Sequence, residues 1–377
     1  MALKSKLTYY VGYDPGTGGS SMSVTPVTED GKKLPTRRLT IPSLYGMVNF
    51  SKLVNDRSLR TTATLASVLK KEEQEIAVGY NQKEYGVGPL AALAGVNATN
   101  AKNAEKRYTD IYSRIVFLGM FGYLTDEDDI DDTDVEARIV TGLPMSLFVK
   151  KTRDGVRKNL EGLHPFTWNG KPRRVNAFVG TVTREGIKAL ATYGDEESRQ
   201  AVVDIGTRTI NVGQTIGQKV LPEFCNANTL GIGKVHDGLI GTLKTEHRIS
   251  ISMKEADEIT RAYVAERPLP TVLKGNSALP ERDIRDIVAK YHENEWTAID
   301  LFIDQSWNEE GTDVGSNLRK IVCIGGGSKV WGKKLTAKFP QAFVPQQSEE
   351  EAILANVEAY LNLSLDLNDI DPTIWKL

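Results

Sequence analysis

Two short turns in this sequence each place an aspartate before glycines and hydroxyl side chains. The first turn consists of Asp14, Pro15, Gly16, Thr17, Gly18, Gly19 and Ser20, and the second of Asp204, Ile205, Gly206, Thr207, Arg208 and Thr209. Glycines let backbone N–H groups approach a phosphate closely, and a carboxylate can hold Mg²⁺ directly or through water. A single turn of this kind is usually only a turn. Two copies could grip a triphosphate from both sides.

A third glycine cluster follows the apolar run 321–324. It consists of Gly325, Gly326, Gly327 and Ser328. Such a cluster permits close approach of a flat ligand, although a plain strand-to-helix connection explains it equally well. No Gly-Lys-Ser/Thr sequence follows, and the glycine spacing differs from that of a dinucleotide-binding loop.

The elements that must position these turns repeat along the chain. Apolar runs predict strands at 8–13, 20–27, 201–205, 210–216 and 320–324. Helical spacing predicts helices at 104–123, 184–193, 280–305 and 349–361. The succession of strand, turn with Asp, Gly and Thr, and strand occurs near the N-terminus and again in the middle. This repetition predicts an approximate internal duplication.

Composition narrows the classes of function. The 377 residues suggest two or three domains, and the formal net charge of -2 gives no basic field, so neither direct nucleic-acid binding nor membrane binding is expected. Cys225 and Cys323 fit a reducing cytoplasm, and no His or Cys has zinc-ligand spacing. No signal peptide or membrane span is expected. The acidic run 126–134 lacks calcium-loop spacing and is predicted to be a solvated loop.

The three glycine motifs, in this order, resemble those of the ATPase superfamily of actin, heat-shock chaperones and sugar kinases. Three further segments resemble ParM-type plasmid-segregation actins: Gly142-Leu143-Pro144, the run 76–79 and the run 355–360. The resemblance implies an α/β actin-like fold, in which two related α/β domains flank a nucleotide cleft. Domain I would cover 1–180 plus 345–377, with an inserted subdomain within 43–100. Domain II would cover 181–344, with an inserted subdomain at 245–315.

The resemblance also implies residue roles. Asp14 would order water around Mg²⁺, and Asp204 would orient Mg²⁺ or the attacking water. The nucleotide's phosphates would be held by Gly16, Thr17, Gly18, Gly19 and Ser20 in the first turn, on the β-phosphate side, and by Gly206, Thr207, Arg208 and Thr209 in the second, on the γ-phosphate side. The adenosine would lie against Gly325, Gly326, Gly327 and Ser328.

Other positions keep two interpretations. Lys254 could reach the ribose or be an exposed helix charge, and Gly231 could touch phosphate or begin a helix. Arg208 could bind phosphate or form a surface ion pair, and Trp331 could stack on the base or pack in the core.

The water-positioning group is the main departure from the family. ParM-type proteins place a Glu at the start of a helix before the second phosphate aspartate. Here Thr181 or Thr183 aligns with that Glu, and Glu185 falls one helical turn later.

The resemblance implies an ATPase that uses Mg²⁺, with GTP as an open alternative to ATP, and self-assembly into filaments. It further implies a DNA-binding adaptor partner and a role in plasmid segregation. The alternative function is a non-polymerising small-molecule kinase or regulatory ATPase of the same superfamily.

Overall fold

The computed structural model describes residues 7–16, 18–57, 64–93, 104–128, 130, 134–194, 197–275, 277–309, 313–345 and 349–375. The chain divides into two compact units. The first comprises Met1–Lys188 and Asn356–Leu377, and the second Ala189–Ala355. The first unit therefore ends at Lys188 rather than at 180, because the strand Lys171–Arg184 continues across that expected boundary. The ranges in which inserted subdomains were expected, 43–100 and 245–315, fall within the first and the second unit respectively.

The first unit is built on a nine-stranded sheet. Its strands are β1 (Leu7–Asp14), β2 (Gly19–Thr28), β3 (Arg37–Pro42), β4 (Tyr45–Met47), β5 (Ile76–Tyr80), β6 (Lys83–Val87), β7 (Asp134–Leu143), β8 (Gly162–Trp168) and β9 (Lys171–Arg184). Its helices are α1 (Phe50–Arg57), α2 (Leu65–Val68), α3 (Pro89–Leu93), α4 (Ala104–Thr109), α5 (Ile111–Leu124) and α6 (Lys150–Leu160). The strand order is β3-β2-β1-β7-β9-β8-β5-β6-β4.

The second unit is built on a five-stranded sheet. It contains α7 (Ala189–Tyr193), β10 (Arg199–Ile205), β11 (Ile210–Ile216), β12 (Lys219–Asn228), α8 (Ile232–Glu246), α9 (Met253–Val264), β13 (Leu273–Lys274), β14 (Ser277–Ala278), α10 (Glu281–Trp307), β15 (Lys320–Ile324), α11 (Gly326–Lys338) and β16 (Ala342–Phe343). The strand order is β12-β11-β10-β15-β16, while β13 and β14 form a separate hairpin. The last helix, α12 (Glu349–Ile370), begins in this unit, and its residues from Asn356 onward belong to the first unit.

The two sheets share one topology, which confirms the predicted internal duplication. In the first sheet, β1 pairs antiparallel with β2, and β7 joins the other side of β1 in parallel. In the second, β10 pairs antiparallel with β11, and β15 joins the other side of β10 in parallel. Each predicted glycine turn therefore connects the first two strands of its sheet.

Both faces of the central strands in the first unit are covered. Helix α5 lies against one face, where Tyr9 and Phe121 pack edge to face with ring centroids 5.3 Å apart. Helix α12 lies against the other. There, an added Cβ at Gly12 would be 2.0 Å from the Val357 carbonyl oxygen, and one at Gly142 would be 1.9 Å from the Tyr360 hydroxyl. Glycine at these two positions allows the close approach.

Two carboxylates of the acidic run, Asp126 and Asp128, are not solvated as expected. Asp128 is 7% exposed and accepts two 2.6 Å hydrogen bonds from the Arg37 guanidinium. Asp126 pairs with Lys71 and with the buried Arg173. The prediction was wrong for these two carboxylates because their cations come from distant segments of the chain.

Two further findings concern Cys323 and the lengths of the helices. Cys323 is fully buried, which raises the pKa of its thiol to about 12. None of the described helices is both long enough and apolar enough to cross a bilayer.

Candidate functional site

The first glycine turn joins β1 to β2 and is held by two serines. Asp14 is the last residue of β1. The Ser43 hydroxyl donates to the Gly16 carbonyl at 2.5 Å and lies 3.0 Å from the Ser20 hydroxyl. Both serines are buried, so their hydroxyls shape the turn from inside, and Gly18 is exposed at its tip. Thr17 lies outside the described residues.

Thr183 and Glu185 lie at the carboxyl end of β9, a strand of the same sheet as β1 and β2. Thr183 pairs with Gly142 of β7, and the Glu185 N–H donates to the Leu143 carbonyl at 2.9 Å. The helix predicted at 184–193 covers only Ala189–Tyr193 in the structure. Glu185 therefore directly follows a strand and lies outside the helix. The backbone pairing between β9 and β7 prevails here over the local helical pattern.

A buried tyrosine donates a hydrogen bond to Glu185 and lies within range of the charge of Asp14. The Tyr108 hydroxyl donates to Glu185 Oε1 at 3.0 Å. Burial raises the pKa of Tyr108 well above its ordinary value, and the negative charges of Glu185 and Asp14 raise it further. Both carboxylates therefore act on this one hydroxyl. We call Asp14, the turn 16–20, Thr183 and Glu185 the first half-site.

Sequence reasoning missed Tyr108 and its neighbour Arg107. Arg107 is 5% exposed, and its positive charge opposes the rise in the pKa of Tyr108. In the sequence, Tyr108 fitted the apolar face of a helix, as a core residue would. Only the fold shows that its hydroxyl meets a carboxylate.

The second glycine turn joins β10 to β11 and leaves several N–H groups without an internal acceptor. The Gly206 N–H donates to the Thr209 carbonyl at 2.8 Å and closes the turn. Within the described part of the chain, the N–H groups of Thr207, Arg208 and Thr209 donate to no protein acceptor. Asp204 precedes the turn at the end of β10 and is only 6% exposed. Several N–H groups in one tight turn can bind an anion.

The N-terminus of α8 donates hydrogen bonds to the carbonyls of this turn. The Ile232 and Gly233 N–H groups donate to the carbonyls of Gly206 and Thr207 at 3.3 and 2.7 Å. Gly231 is the N-cap of α8, as its helix-start interpretation predicts, and its N–H donates to Glu295 Oε1 at 2.7 Å.

Arg208 forms the ion pair that was one of its two interpretations. Its guanidinium contacts both carboxylate oxygens of Asp237, with Nη2 3.1 Å from Oδ1. Both side chains are partly exposed. The ion pair directs the Arg208 side chain toward α8.

The triple-glycine loop lies directly beside the second turn, because β10 and β15 are parallel neighbours. Gly325 has φ +80°, and an added Cβ would come 2.6 Å from Asp204 Oδ1. A Cβ at Gly327 would come 2.4 Å from Ile205 Cγ2. These two glycines are therefore required by packing. The Ser328 hydroxyl is buried and donates to the Gly325 carbonyl at 2.7 Å, which caps the turn into α11.

Gly326 differs from its neighbours because it faces open space. Among the described residues, a Cβ there would meet only Arg261 Nη2 and Ile353 Cγ1, each at 4.0 Å. Arg261 is held by Asp257, whose Oδ2 lies 2.7 Å from Nε. We call Asp204, the turn 206–209, the loop 325–327 and Arg261 the second half-site.

Lys254 and Trp331, the two remaining candidates for contacts with the nucleoside, lie in different surroundings from each other. Lys254 is 87% exposed and lies 3.9 Å from Glu258, as an exposed helix charge would. The α9 cation near Gly326 is instead Arg261, two turns later in the helix. Trp331 is fully buried and stacks on His292 with ring centroids 5.6 Å apart, which confirms its packing interpretation.

Comparison with known proteins shows which proteins this chain resembles in sequence and in structure. Residues 29–187 match the family model of the N-terminal domain of actin-like proteins. An archaeal actin homolog in complex with ADP superposes with a TM-score of 0.65 at 17% identity, covering 94% of this chain and 99% of its own. This chain has the actin-like fold.

Two ParM structures also superpose on this chain over nearly its whole length. A non-polymerisable quadruple mutant of pCBH ParM has a TM-score of 0.67 at 17% identity, covering 95% of this chain and 99% of its own. Bacillus thuringiensis ParM with AMPPNP has a TM-score of 0.63 at 15% identity, covering 95% and 98%. No curated protein matches the sequence significantly.

Each half-site, taken by itself, offers groups that suit part of a nucleoside polyphosphate. The second turn offers N–H groups to anionic oxygens, and Gly326 leaves room for a flat group. The described residues contain no cluster of three or more His, Cys, Asp or Glu that could hold a metal ion. Mg²⁺ commonly takes only one or two protein carboxylates and completes its shell with phosphate and water, so a single aspartate such as Asp204 suits it.

Proposed function

We propose that this actin-like protein binds and hydrolyses ATP with Mg²⁺ and uses the cycle to assemble and disassemble filaments of itself. The observation that carries the proposal is the duplicated topology. Asp14 is the last residue of β1 and Asp204 the last but one of β10, and each strand is followed by a glycine turn to an antiparallel neighbour. Each of these turns can bind phosphate oxygens.

Residue roles follow from the surroundings of each group. Asp14 and Asp204 would hold Mg²⁺ directly or through water, and the metal would neutralise charge that develops on the phosphates. The N–H groups of Thr207, Arg208 and Thr209 would bind the γ-phosphate side, and the first turn would bind the β-phosphate side. Purine and ribose would lie over Gly326, beside Arg261.

Glu185 is the residue we propose for orienting the attacking water. It is a buried carboxylate that follows β9 directly, and it accepts a hydrogen bond from Tyr108 through one oxygen. Thr183, which is 8% exposed and precedes it by two residues, is the alternative.

Assembly and cargo extend the same proposal. The ParM whose mutant is described as non-polymerisable shares this fold. By analogy, we propose that the chain acts in the cytoplasm in plasmid or DNA segregation, through a DNA-binding adaptor and without direct DNA contact. A fold alone does not carry a function, so this part depends on the assembly experiment at the end of the Discussion.

The hydrolysis proposal is tested by Asp204→Ala. Loss of the carboxylate should reduce phosphate release by about 100-fold or more, because it removes a group aimed at the reacting phosphate. ATP should still bind, because the turn and the Gly326 loop remain. Asp300→Ala, which removes a surface carboxylate that pairs with Lys338, is the matched control. Normal turnover in D204A would reject the role of Asp204.

A further inference from the structure

Glu295 is a buried carboxylate in the middle of α10, far in sequence from either glycine turn. It is 7% exposed. One carboxylate oxygen, Oε1, accepts the Gly231 N–H at 2.7 Å, and the other lies 3.9 Å from Lys234 Nζ. Burial raises the pKa of Glu295, and the Gly231 hydrogen bond and the Lys234 charge oppose the rise. A carboxylate buried in this way needs its partners, because an unpaired one would be costly.

Gly231 is the point at which this carboxylate meets the second turn. Its φ of +153° and ψ of 175° belong to a conformation that other residues rarely adopt. A Cβ on Gly231 would lie 2.5 Å from the Gly206 carbonyl oxygen and 2.9 Å from that of Thr207. The next two N–H groups of the chain donate to these same carbonyls. The backbone of the second turn thus rests on a glycine that Glu295 holds in place.

We infer that Glu295 is a positioning residue for the second turn, acting through Gly231 to aim the N–H groups of Thr207, Arg208 and Thr209 at phosphate. The effect on phosphate binding rests on the proposed nucleotide function. The mechanical link from Glu295 through Gly231 to the second turn does not. Without an acceptor at position 295, the buried Gly231 N–H loses its partner. Gly231 can then relax, and the carbonyls of Gly206 and Thr207 lose their fixed support.

Two nearly isosteric variants separate the acceptor from packing. Glu295→Met fills the same space without an acceptor, and Glu295→Gln keeps a carbonyl oxygen for the Gly231 N–H. Ile299→Ala is the control, because Ile299 is a fully buried residue one turn further along α10 that belongs to the apolar core. Loss of its side chain should destabilise the unit without removing the Gly231 contact.

Hydrogen exchange of the nucleotide-free protein tests the mechanical link. In E295M, the peptide that covers residues 230–235 should exchange about tenfold faster than in wild type, since the Gly231 N–H has lost its acceptor and the bonds from the Ile232 and Gly233 N–H groups to the second turn are weakened. E295Q and I299A should leave this peptide near its wild-type rate relative to the rest of the unit. Equal acceleration in I299A, or unchanged exchange in E295M, would overturn the inference, whether or not the protein binds nucleotide.

Nucleotide binding tests the consequence. Calorimetry with ATP–Mg²⁺ and ADP–Mg²⁺ should show about a tenfold loss of ATP affinity in E295M and less than about a threefold loss for ADP, because only ATP reaches the second turn with a γ-phosphate. E295Q should keep the wild-type ratio of the two affinities. If E295M does not fold, E295Q remains decisive, and a tenfold loss of ATP affinity in it would contradict the acceptor role. Wild-type protein that binds neither nucleotide would reject the proposed function, while the exchange result would still decide the link.

Discussion

At the scale of single residues, the site depends on which glycines are required by packing and which are left open. An added Cβ at Gly325 or Gly327 would have backbone or side-chain atoms within 2.6 Å, while one at Gly326 would have none nearer than 4.0 Å. A side chain at 326 can therefore be added without disturbing the strand-to-helix connection. Any effect of that side chain on binding should therefore come from excluding a ligand from this space.

Gly326→Val should weaken ATP and ADP binding by about tenfold or more, because the added methyl groups occupy the space assigned to the nucleoside. Gly241→Val is the matched control. Gly241 lies within α8, and a Cβ there also meets nothing within 4 Å. Calorimetry and thermal unfolding on both variants make the comparison. Unchanged affinity in G326V with an intact fold would show that the nucleoside lies elsewhere.

Tyr108→Phe should lower kcat for ATP hydrolysis by about tenfold while leaving ADP affinity unchanged, because Glu185 loses the donor that orients it. The buried ring stays, so the fold should persist. Tyr13→Phe removes a comparably buried hydroxyl that donates to the Ser113 carbonyl at 2.9 Å. Phosphate release should fall in Y108F and not in Y13F. Equal rates in the two variants would remove Glu185 from the mechanism.

At the scale of elements, the sequence predicted the strands around both turns closely and the contacts between distant elements poorly. The apolar run 210–216 is a strand with those bounds, because its apolar and β-branched pattern is local. The helix predicted from 184 was shortened, because β9 extends along β7 to Arg184. The pairing of Glu295 with Gly231 joins residues 64 positions apart. No local pattern encodes such a contact.

The acidic run gives an element-scale prediction. Asp128→Asn should lower the free energy of unfolding by about 1–3 kcal/mol, because it replaces a buried carboxylate that accepts from Arg37 and from Tyr9. Asp134→Asn should change it by less than about 0.5 kcal/mol, because Asp134 pairs with Arg174 at an exposed position. Urea unfolding of both variants checks this. Equal effects would restore the solvated-loop interpretation.

At the scale of the whole molecule, the duplicated sheet explains why two turns far apart in sequence carry the same chemistry. An aspartate that ends β1 and another near the end of β10 each precede a glycine turn in the same topological position. ATP would present to the second turn a γ-phosphate that ADP lacks, so the two nucleotides would engage that turn differently. Such a difference is what a nucleotide-controlled assembly requires.

Right-angle light scattering recorded together with phosphate release tests this account most directly, with Mg²⁺ and ATP, ADP, GTP or no nucleotide. We predict that scattering rises with ATP above a critical protein concentration and then falls as phosphate appears, and that ADP gives no comparable rise. The D204A variant should assemble with ATP and fail to disassemble. Tight ATP binding without any rise in scattering would contradict the filament function and favour a soluble kinase or regulatory ATPase with the same fold.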